Sequence, residues 1–355
     1  MCGIAGCIGV GNYKLKLENM LQSQKHRGLD FTGFFFDEGH VALGHNRLSI
    51  IDLSQNANQP FRDASERYTI IFNGEIYNYL ELKTDLETDY DFKTTSDTEV
   101  LLAAFVKHGK NCLSLLNGMF AFAIWDNLKK ELFAARDRFG IKPFYYHKSK
   151  DIFLFSSEIK ALFTGGIQKQ PNENVWSQYF ANGSYGLPDE TFWDGIKQLP
   201  AGYYLEYQNQ KLAIKKWYDF VESVQNQPKI KDYQEAKEIY ANLLTDSIRL
   251  RFRADVPIGF NISGGLDSSA LLALANISQK DISKIEAFTF YTGDENYDET
   301  PWVEQIIASY KSPLNKVLLD SSEVNTLAQF ITNKQDEPFG GIPTLAYSKL
   351  FAAAS

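Results

Sequence analysis

The cysteine beside the initiator methionine is the first residue whose type and position could do chemistry. Cys2 stands in MCGIAGC and is followed by glycine, a context compatible with removal of Met1. The freed α-amine would titrate near ~7.7–8 when unperturbed. It could take the thiol proton directly or through water, so nucleophile and base would share one residue. The competing reading is a small residue buried in a strand, a common place for a free cysteine. Cys7 follows at an odd separation, so in a regular strand its side chain points to the opposite face. A metal shared by the two, or a disulfide between them, is therefore disfavoured.

Acyl chemistry at a thiol needs donors for a developing oxyanion. FNGE offers the Asn73 side chain and the Gly74 backbone N–H in adjacent positions, although Asn-Gly is equally a hairpin-turn signal. Arg47 is a cation inside the apolar run GHNRLSIIDLS, where a charge needs a partner. That partner is either a substrate carboxylate gripped by the guanidinium fork or an internal acid such as Asp52. Asp97 in TSDTE reads as a helix-start residue or as the acceptor of a substrate α-amine, with Glu75 assisting. A second cluster lies in NISGGLDSS, where Gly264 and Gly265 would let backbone N–H groups approach a phosphate at a helix N-terminus. Ser263, Ser268 and Ser269 add hydroxyl donors, and Asp267 could hold Mg²⁺. No G-x-x-x-x-G-K-S/T loop is present. The acidic pairs Asp298-Glu299 and Asp336-Glu337 are open to metal or acceptor binding, or are simply solvated.

The elements that would position these residues differ between the two halves. Up to about residue 200 the pattern predicts a strand over 3–9, a helix over 14–24 and β-rich runs in VALGHNRLSIIDLS and YTIIFNGEIYNY. A helix then starts at a Ser96–Glu99 capping box. GMFAFAIWD and KKELFAARDRFG form a hairpin around Asp126-Asn127, and FLFSSEIKALF runs from strand into helix. Hairpin-linked strands among helices imply an antiparallel α+β domain. Helices over 235–253, 267–276, 301–310 and 322–331 later alternate with VPIGFNI, IEAFTFY and 316–319, which implies a thin, parallel, doubly wound sheet. The polar stretch VESVQNQPKIKDYQ separates the halves, giving domains over 1–213 and 234–355 with a linker over 214–233.

The 355 residues suffice for two cores, and 44% hydrophobic with 23% charged residues is ordinary for a globular chain. A net charge of -8 disfavours nonspecific nucleic-acid binding. No apolar run approaches the ~20 residues that span a bilayer. Three cysteines in this length do not make a disulfide framework, so a reducing, cytoplasmic setting is expected.

Together, MCGIAG, HRG-x-D, GH-x-RLSIIDLS, FNGEIYNY, SDTE and RDRFGIKPFYY resemble, in this order, the glutaminase domain of class II (N-terminal-nucleophile) amidotransferases. The resemblance is closest to glutamine-hydrolysing asparagine synthetases and runs from residue 2 to about 205. It implies a layered αββα fold of mainly antiparallel sheets. It also implies Cys2 as the nucleophile that forms a glutamyl thioester, Asn73 and Gly74 as the oxyanion hole and Arg47 as the clamp on the glutamine α-carboxylate. Glu75 and Asp97 would take the α-amine, and Leu48 and Ile51 would line the pocket. One departure is HRGLD, where Leu29 replaces the family's proline and removes a φ restriction but no reacting group.

SGG-x-DS resembles the pyrophosphate-binding loop of ATP pyrophosphatases. By that resemblance Ser263, Gly264, Gly265, Asp267 and Ser268 would cradle pyrophosphate, Ile262 and Phe290 would flank the adenosine, and Asp267 would hold Mg²⁺. The second domain would be Rossmann-like α/β and incomplete at its C-terminus, because the family's later acceptor residues lie beyond residue 355. The implied activity is glutamine-dependent asparagine synthesis from ATP and aspartate through β-aspartyl-AMP. Its partners would be small molecules, with no nucleic acid and no membrane; a homodimer is left open. Alternatives are the same architecture acting on another carboxylate in polysaccharide or peptide modification, a glutaminase alone, or a non-catalytic scaffold.

Overall fold

A computed structural model describes residues 1–9, 12–278, 285–310 and 312–354. It divides into two compact units, Met1–Gln227 and Pro228–Ser355. The first unit begins β1 (Gly3–Gly9), α1 (Tyr13–Ser23), β2 (Phe31–Asp37), β3 (Val41–Arg47), β4 (Phe61–Arg62), β5 (Tyr68–Ile76), α2 (Tyr79–Leu86) and α3 (Asp97–His108). It continues β6 (Gly118–Asp126), β7 (Glu131–Arg136), β8 (Tyr145–Lys148), β9 (Ile152–Ser156), α4 (Ile159–Thr164) and α5 (Glu173–Asn182). It closes with β10 (Lys197–Gln198), β11 (Tyr203–Gln208), β12 (Lys211–Lys216) and α6 (Phe220–Gln225).

These strands form two six-stranded sheets, β10-β8-β9-β1-β3-β2 and β12-β11-β7-β6-β5-β4. Their pairings are antiparallel. The two-residue period of a strand explains the layering. From β1, Ile4 and Ile8 enter an apolar layer between the sheets, where they meet Ile71, Ala121, Ala123, Phe153 and Phe155. Ala5 and Cys7 point the other way, onto Leu17, Met20 and Leu21 of α1 and Leu162 of α4. In β5, Ile71 faces inward while Ile70, Phe72 and Ile76 lie under Val100 and Leu101 of α3 and Leu82 of α2. Each central strand is thus covered on both faces, which is why GMFAFAIWD is apolar throughout rather than alternating. The result is the expected αββα stack. Cys7 is buried under α1, on the face opposite that of Ile4 and Ile8.

Several local expectations come out differently. Asn73-Gly74 is not a turn; both residues sit inside β5, opposite Ala121 and Phe120. The run GHNRLSIIDLS leaves the sheet at Arg47, and Asp52 adopts φ 56° in the loop that follows. No Ser96–Glu99 capping box forms. Ser96 accepts from Thr98 N at 3.2 Å, while the Glu99 carboxylate accepts from Lys93 N and Thr94 N at 3.0 and 2.7 Å, closing the preceding loop instead. The stretch expected as a linker contains the end of β12 and all of α6. Trp217 stacks on Phe120 and donates to Arg136 O at 3.1 Å, which ties this segment to the first unit.

The second unit runs α7 (Tyr233–Arg251), β13 (Gly259–Asn261), α8 (Leu266–Ser278), β14 (Glu286–Tyr291) and α9 (Thr300–Tyr310). After these come β15 (Leu314–Leu318), α10 (Val324–Gln335) and α11 (Ile342–Ala353). Its strands pair in parallel in the order β13-β14-β15. Ala287 packs with Leu272 of α8 and Val303 of α9, whereas Phe290 packs with Ile331 of α10 and Leu345 of α11. Helices therefore cover both faces, as a doubly wound sheet requires.

The layer between the two antiparallel sheets is the core on which the first unit rests. Ile71→Ala is expected to cost about 2–5 kcal/mol, read by denaturant unfolding. Leu128→Ala, at a side chain 74% exposed, is expected to stay within about 0.5 kcal/mol of the parent.

Candidate active site

The chain's N-terminus, the end of β3, the middle of β5 and the start of α3 converge on a cavity of about 300 Å³ in the first unit. Its walls include Cys2, Arg47, Leu48, Ile51, Asn73, Gly74, Glu75 and Asp97, which are the residues expected to hold and cleave glutamine. Cys2 is anchored from behind, because Arg27 Nε donates to Cys2 O at 2.9 Å. Arg27 is in turn held by Glu158, 3.1 Å away. Burial opposes ionisation of Glu158, but hydrogen bonds from His26 and Lys160 outweigh it and bring its pKa to about 2. The thiol faces Leu48 N at 3.4 Å. Burial pushes the thiol pKa up, against the Leu48 hydrogen bond, the terminal amine and Lys142. Burial also lowers the pKa of the terminal amine, carried by Met1 in this chain.

Asn73 is 1% exposed, and its Nδ2 has no hydrogen-bond partner among the described residues. A buried amide donor left unpaired costs free energy, and here it belongs to a residue lining the cavity that Cys2 also lines. Gly74 must be glycine, since a Cβ would lie 2.2 Å from Met119 O. Arg47 donates to Ser54 O at 2.8 Å and Asn58 Oδ1 at 2.9 Å, and also to Asp52 O. These bonds to the loop after β3 fix the guanidinium in place. The Asp52 carboxylate accepts from Thr95 N and Ser54 N. Asp97 Oδ2 accepts from Ile76 N at 2.9 Å. Burial, reinforced by Glu75, raises the Asp97 pKa to about 7.

Among the residues that line the cavity, Gln59 and Lys142 were not singled out from the sequence. Gln59 bridges Phe72 N and Thr98 Oγ1, tying β5 to α3. Lys142 projects from the RDRFGIKPFYY segment, a motif that could have pointed to it. Leu29, where the family has proline, is exposed, and its loop is held by Asp30, which accepts from Ser49 N at 2.7 Å.

In the second unit, Ile262 follows β13 and Phe290 lies near the C-terminal end of the neighbouring β14. Gly264 takes φ 76°, and a Cβ there would meet Trp302 Cβ at 3.1 Å, so only glycine suits the turn. The Ser263 and Ser268 hydroxyls are 3.2 Å apart, and Ser268 Oγ also lies 3.3 Å from Ser263 N. Asp267 is exposed in the first turn of α8. Hydroxyls and N–H groups at the carboxyl end of parallel strands fit a phosphate chain. A single carboxylate there fits Mg²⁺ shared with phosphates, and no cluster of three metal-ligating side chains occurs among the described residues. Asp298 accepts from Thr300 N, at the first residue of α9, at 2.9 Å, and Asp336 ends α10 at φ 62°.

Residues 1–218 match the family model described as "Glutamine amidotransferase domain", and residues 240–354 match that of "Asparagine synthase". The protein of Methanocaldococcus jannaschii named "Putative asparagine synthetase (glutamine-hydrolyzing) 2" is 37% identical, over 99% of this chain and 72% of its own length. This chain belongs to the glutamine-hydrolysing asparagine synthetase family. Asparagine synthetases 3 and 1 of Bacillus subtilis are 31% and 33% identical over 91% and 95% of the chain. The chain spans about half the length of these two, 55% and 53%. The protein named "Amidase chry2" of Gibberella zeae is 34% identical over 74% of this chain and 39% of its own length.

Asp97 gives this family member a pH signature in its ligand-free state. Its folded pKa of about 7 exceeds the ~3.9 of an unfolded aspartate. Between those values the native state binds more protons, so this carboxyl makes stability fall as pH rises and has no further effect above about 7. Asp97→Asn is expected to remove that slope and to stabilise the ligand-free chain at pH 8 by up to a few kcal/mol. Melting curves at pH 5 and 8 check this; an unchanged slope contradicts it.

Proposed function

We propose that the first unit hydrolyses glutamine at Cys2 and that the ammonia released serves an ATP-dependent synthesis of asparagine from aspartate. The observation that carries the first step is the convergence of the Cys2 thiol, the unpartnered Asn73 amide, Arg47 and Asp97 on one cavity. With Met1 removed, the Cys2 amine takes the thiol proton and the sulfur attacks the glutamine side-chain carbonyl. Asn73 Nδ2 and Gly74 N–H receive the oxyanion. Collapse of the tetrahedral intermediate expels ammonia, which leaves with the proton from the amine, and water then hydrolyses the glutamyl thioester. Arg47 grips the α-carboxylate and Asp97 with Glu75 the α-ammonium, while Leu48 and Ile51 pack against the methylene chain.

In the second unit, Ser263, Gly264, Gly265 and Ser268 would hold the pyrophosphate part of ATP, with Ile262 and Phe290 beside the adenosine and Asp267 on Mg²⁺. ATP bound there would activate the aspartate β-carboxylate as an adenylate, the form that ammonia attacks to give asparagine, AMP and pyrophosphate. A site that excludes water keeps ammonia unprotonated and nucleophilic on its way. No helix of the described residues is long and apolar enough to cross a membrane. Cys2, Cys7 and Cys112 are free thiols, in keeping with a cytoplasmic enzyme. A second reading, the same chemistry on another carboxylate, is favoured by the likeness to a relative named an amidase rather than a synthetase.

Cys2→Ala is expected to abolish glutamine-supported AMP release and to leave ammonium-supported release within about twofold. Loss of both, or of neither, contradicts the division of labour. Among carboxylic acids supplied as acceptor, aspartate is expected to stimulate AMP release; indifference to aspartate selects the second reading. Arg47→Ala is expected to raise the KM for glutamine about 10- to 100-fold, the scale of a lost charge-assisted bond of about 1.5–3 kcal/mol, measured by glutamate release.

A further inference from the structure

Lys142 is a buried ammonium, 5% exposed, at the Cys2 end of the cavity. Its backbone is pinned on both sides. The Asp137 carboxylate accepts from Lys142 N at 3.0 Å and from Phe120, Phe139 and Ile141 N as well, and Arg136 Nε donates to Lys142 O at 2.7 Å. The loop is thus built to deliver this side chain to one place. Among the described residues, the hydrogen-bond partner of its ammonium is the Met1 sulfur, 3.3 Å away. Met1 is the residue whose removal the proposed chemistry requires. Processing would therefore take away that partner and leave the cation facing the space beside the new N-terminus.

A lysine buried for packing alone would pay to desolvate a charge that an apolar residue would not carry. We propose that Lys142 is a positioning residue for the glutaminase reaction: its ammonium sets the protonation of the Cys2 amine and thiol, keeping the amine neutral and favouring the thiolate at neutral pH. The inference rests on the glutaminase reading above. A nearby positive charge disfavours a second one on the amine, keeping it a free base, and favours a negative one on sulfur, so one cation lowers the pKa of both groups. With Met1 in place, the charged groups facing its amine are the Cys2 thiol, Arg27, Lys142 and Glu75. Those facing the thiol include the amine, Asp97 and Lys142. Arg27 is committed to Cys2 O and Glu158, and the two acids act in the opposite sense. Arg47, which also faces the thiol, is committed to the Ser54 and Asp52 carbonyls, and Lys142 is itself faced by Glu75, Arg27, Cys2 and Asp137.

The test uses the full chain with Met1 removal verified by mass. Two profiles are measured against pH: the rate of iodoacetamide alkylation at Cys2, located by peptide mass, and kcat/KM for glutamate release. In Lys142→Met both midpoints are expected to move up by about one pH unit, so the alkylation rate at pH 7 falls about tenfold. Lys142→Arg is expected to restore the parent midpoint. A purely structural lysine would change the melting temperature without moving the midpoint of the folded fraction. An unshifted alkylation midpoint in folded Lys142→Met overturns the proposal; if that variant does not fold, Lys142→Gln carries the same test. Absence of glutamate release by the parent would overturn the glutaminase reading instead, and the alkylation profiles keep the two failures apart.

Discussion

The first strand lies inside a sheet rather than at its edge, and the position of Cys2 depends on that. β1 is paired with β3 on one side and β9 on the other. Where the ladder with β9 ends, Ser157 takes over: its hydroxyl accepts from Ile4 N at 3.0 Å, and Ile4 O accepts from Ser157 N. Gln24 Nε2 also donates to Ile4 O, and Arg27 reaches Cys2 O. Chain termini are ordinarily frayed. Here backbone and side-chain bonds continue up to position 2, so the Cys2 thiol is held like a side chain in a core.

Stacking the second sheet on the first then supplies the rest of the site. β5 places Asn73 and Gly74 among tightly packed strands, and the close approach of Met119 O to Gly74 leaves no room for a side chain. Asp97 comes from the outer helix layer, yet it bonds to Ile76 N at the end of β5 and so is registered to that strand. Gln59 repeats the device between Phe72 and Thr98. Side chains from three layers are therefore fixed relative to one another by the same apolar packing that stabilises the unit.

How much of this could be read from the sequence varied with the range of the interaction. Strand parity separated Cys2 from Cys7, and short apolar runs located β1, β5, β6 and the parallel strands of the second unit. Asn73-Gly74 stayed ambiguous because a turn dipeptide and a strand glycine against a close backbone look alike locally; only Met119 decides between them. Glu99 was expected at the helix cap, since its tie to Lys93 and Thr94 depends on the path of the preceding loop. β12 and α6 escaped notice because their residues are largely exposed, while what anchors the segment is pairing with β11 and the contacts of Trp217, Tyr218 and Phe220 with Phe120 and Phe139. Lys142 escaped for a related reason. Its neighbours in sequence define a turn, and its proximity to Met1 arises only when sheets and loop come together.

On the glutaminase reading proposed above, the charges of the cavity would suit an amino acid rather than a simple amide. Arg47 is desolvated, with its guanidinium pKa lowered chiefly by burial. Asp97 is buried, with Glu75 repelling its ionisation. Left empty, both groups carry a desolvation cost that the surrounding protein does not fully offset. An α-carboxylate and an α-ammonium on one carbon offset both costs at once, and each makes the other group's ionised form easier to hold. A neutral amide without that zwitterion would leave the two charges as they were and gain little. On that reading, discrimination at this site would follow from buried ionisable groups that an opposite charge stabilises, and the unpartnered Asn73 amide would apply the same principle to the charge that develops at the reacting carbonyl.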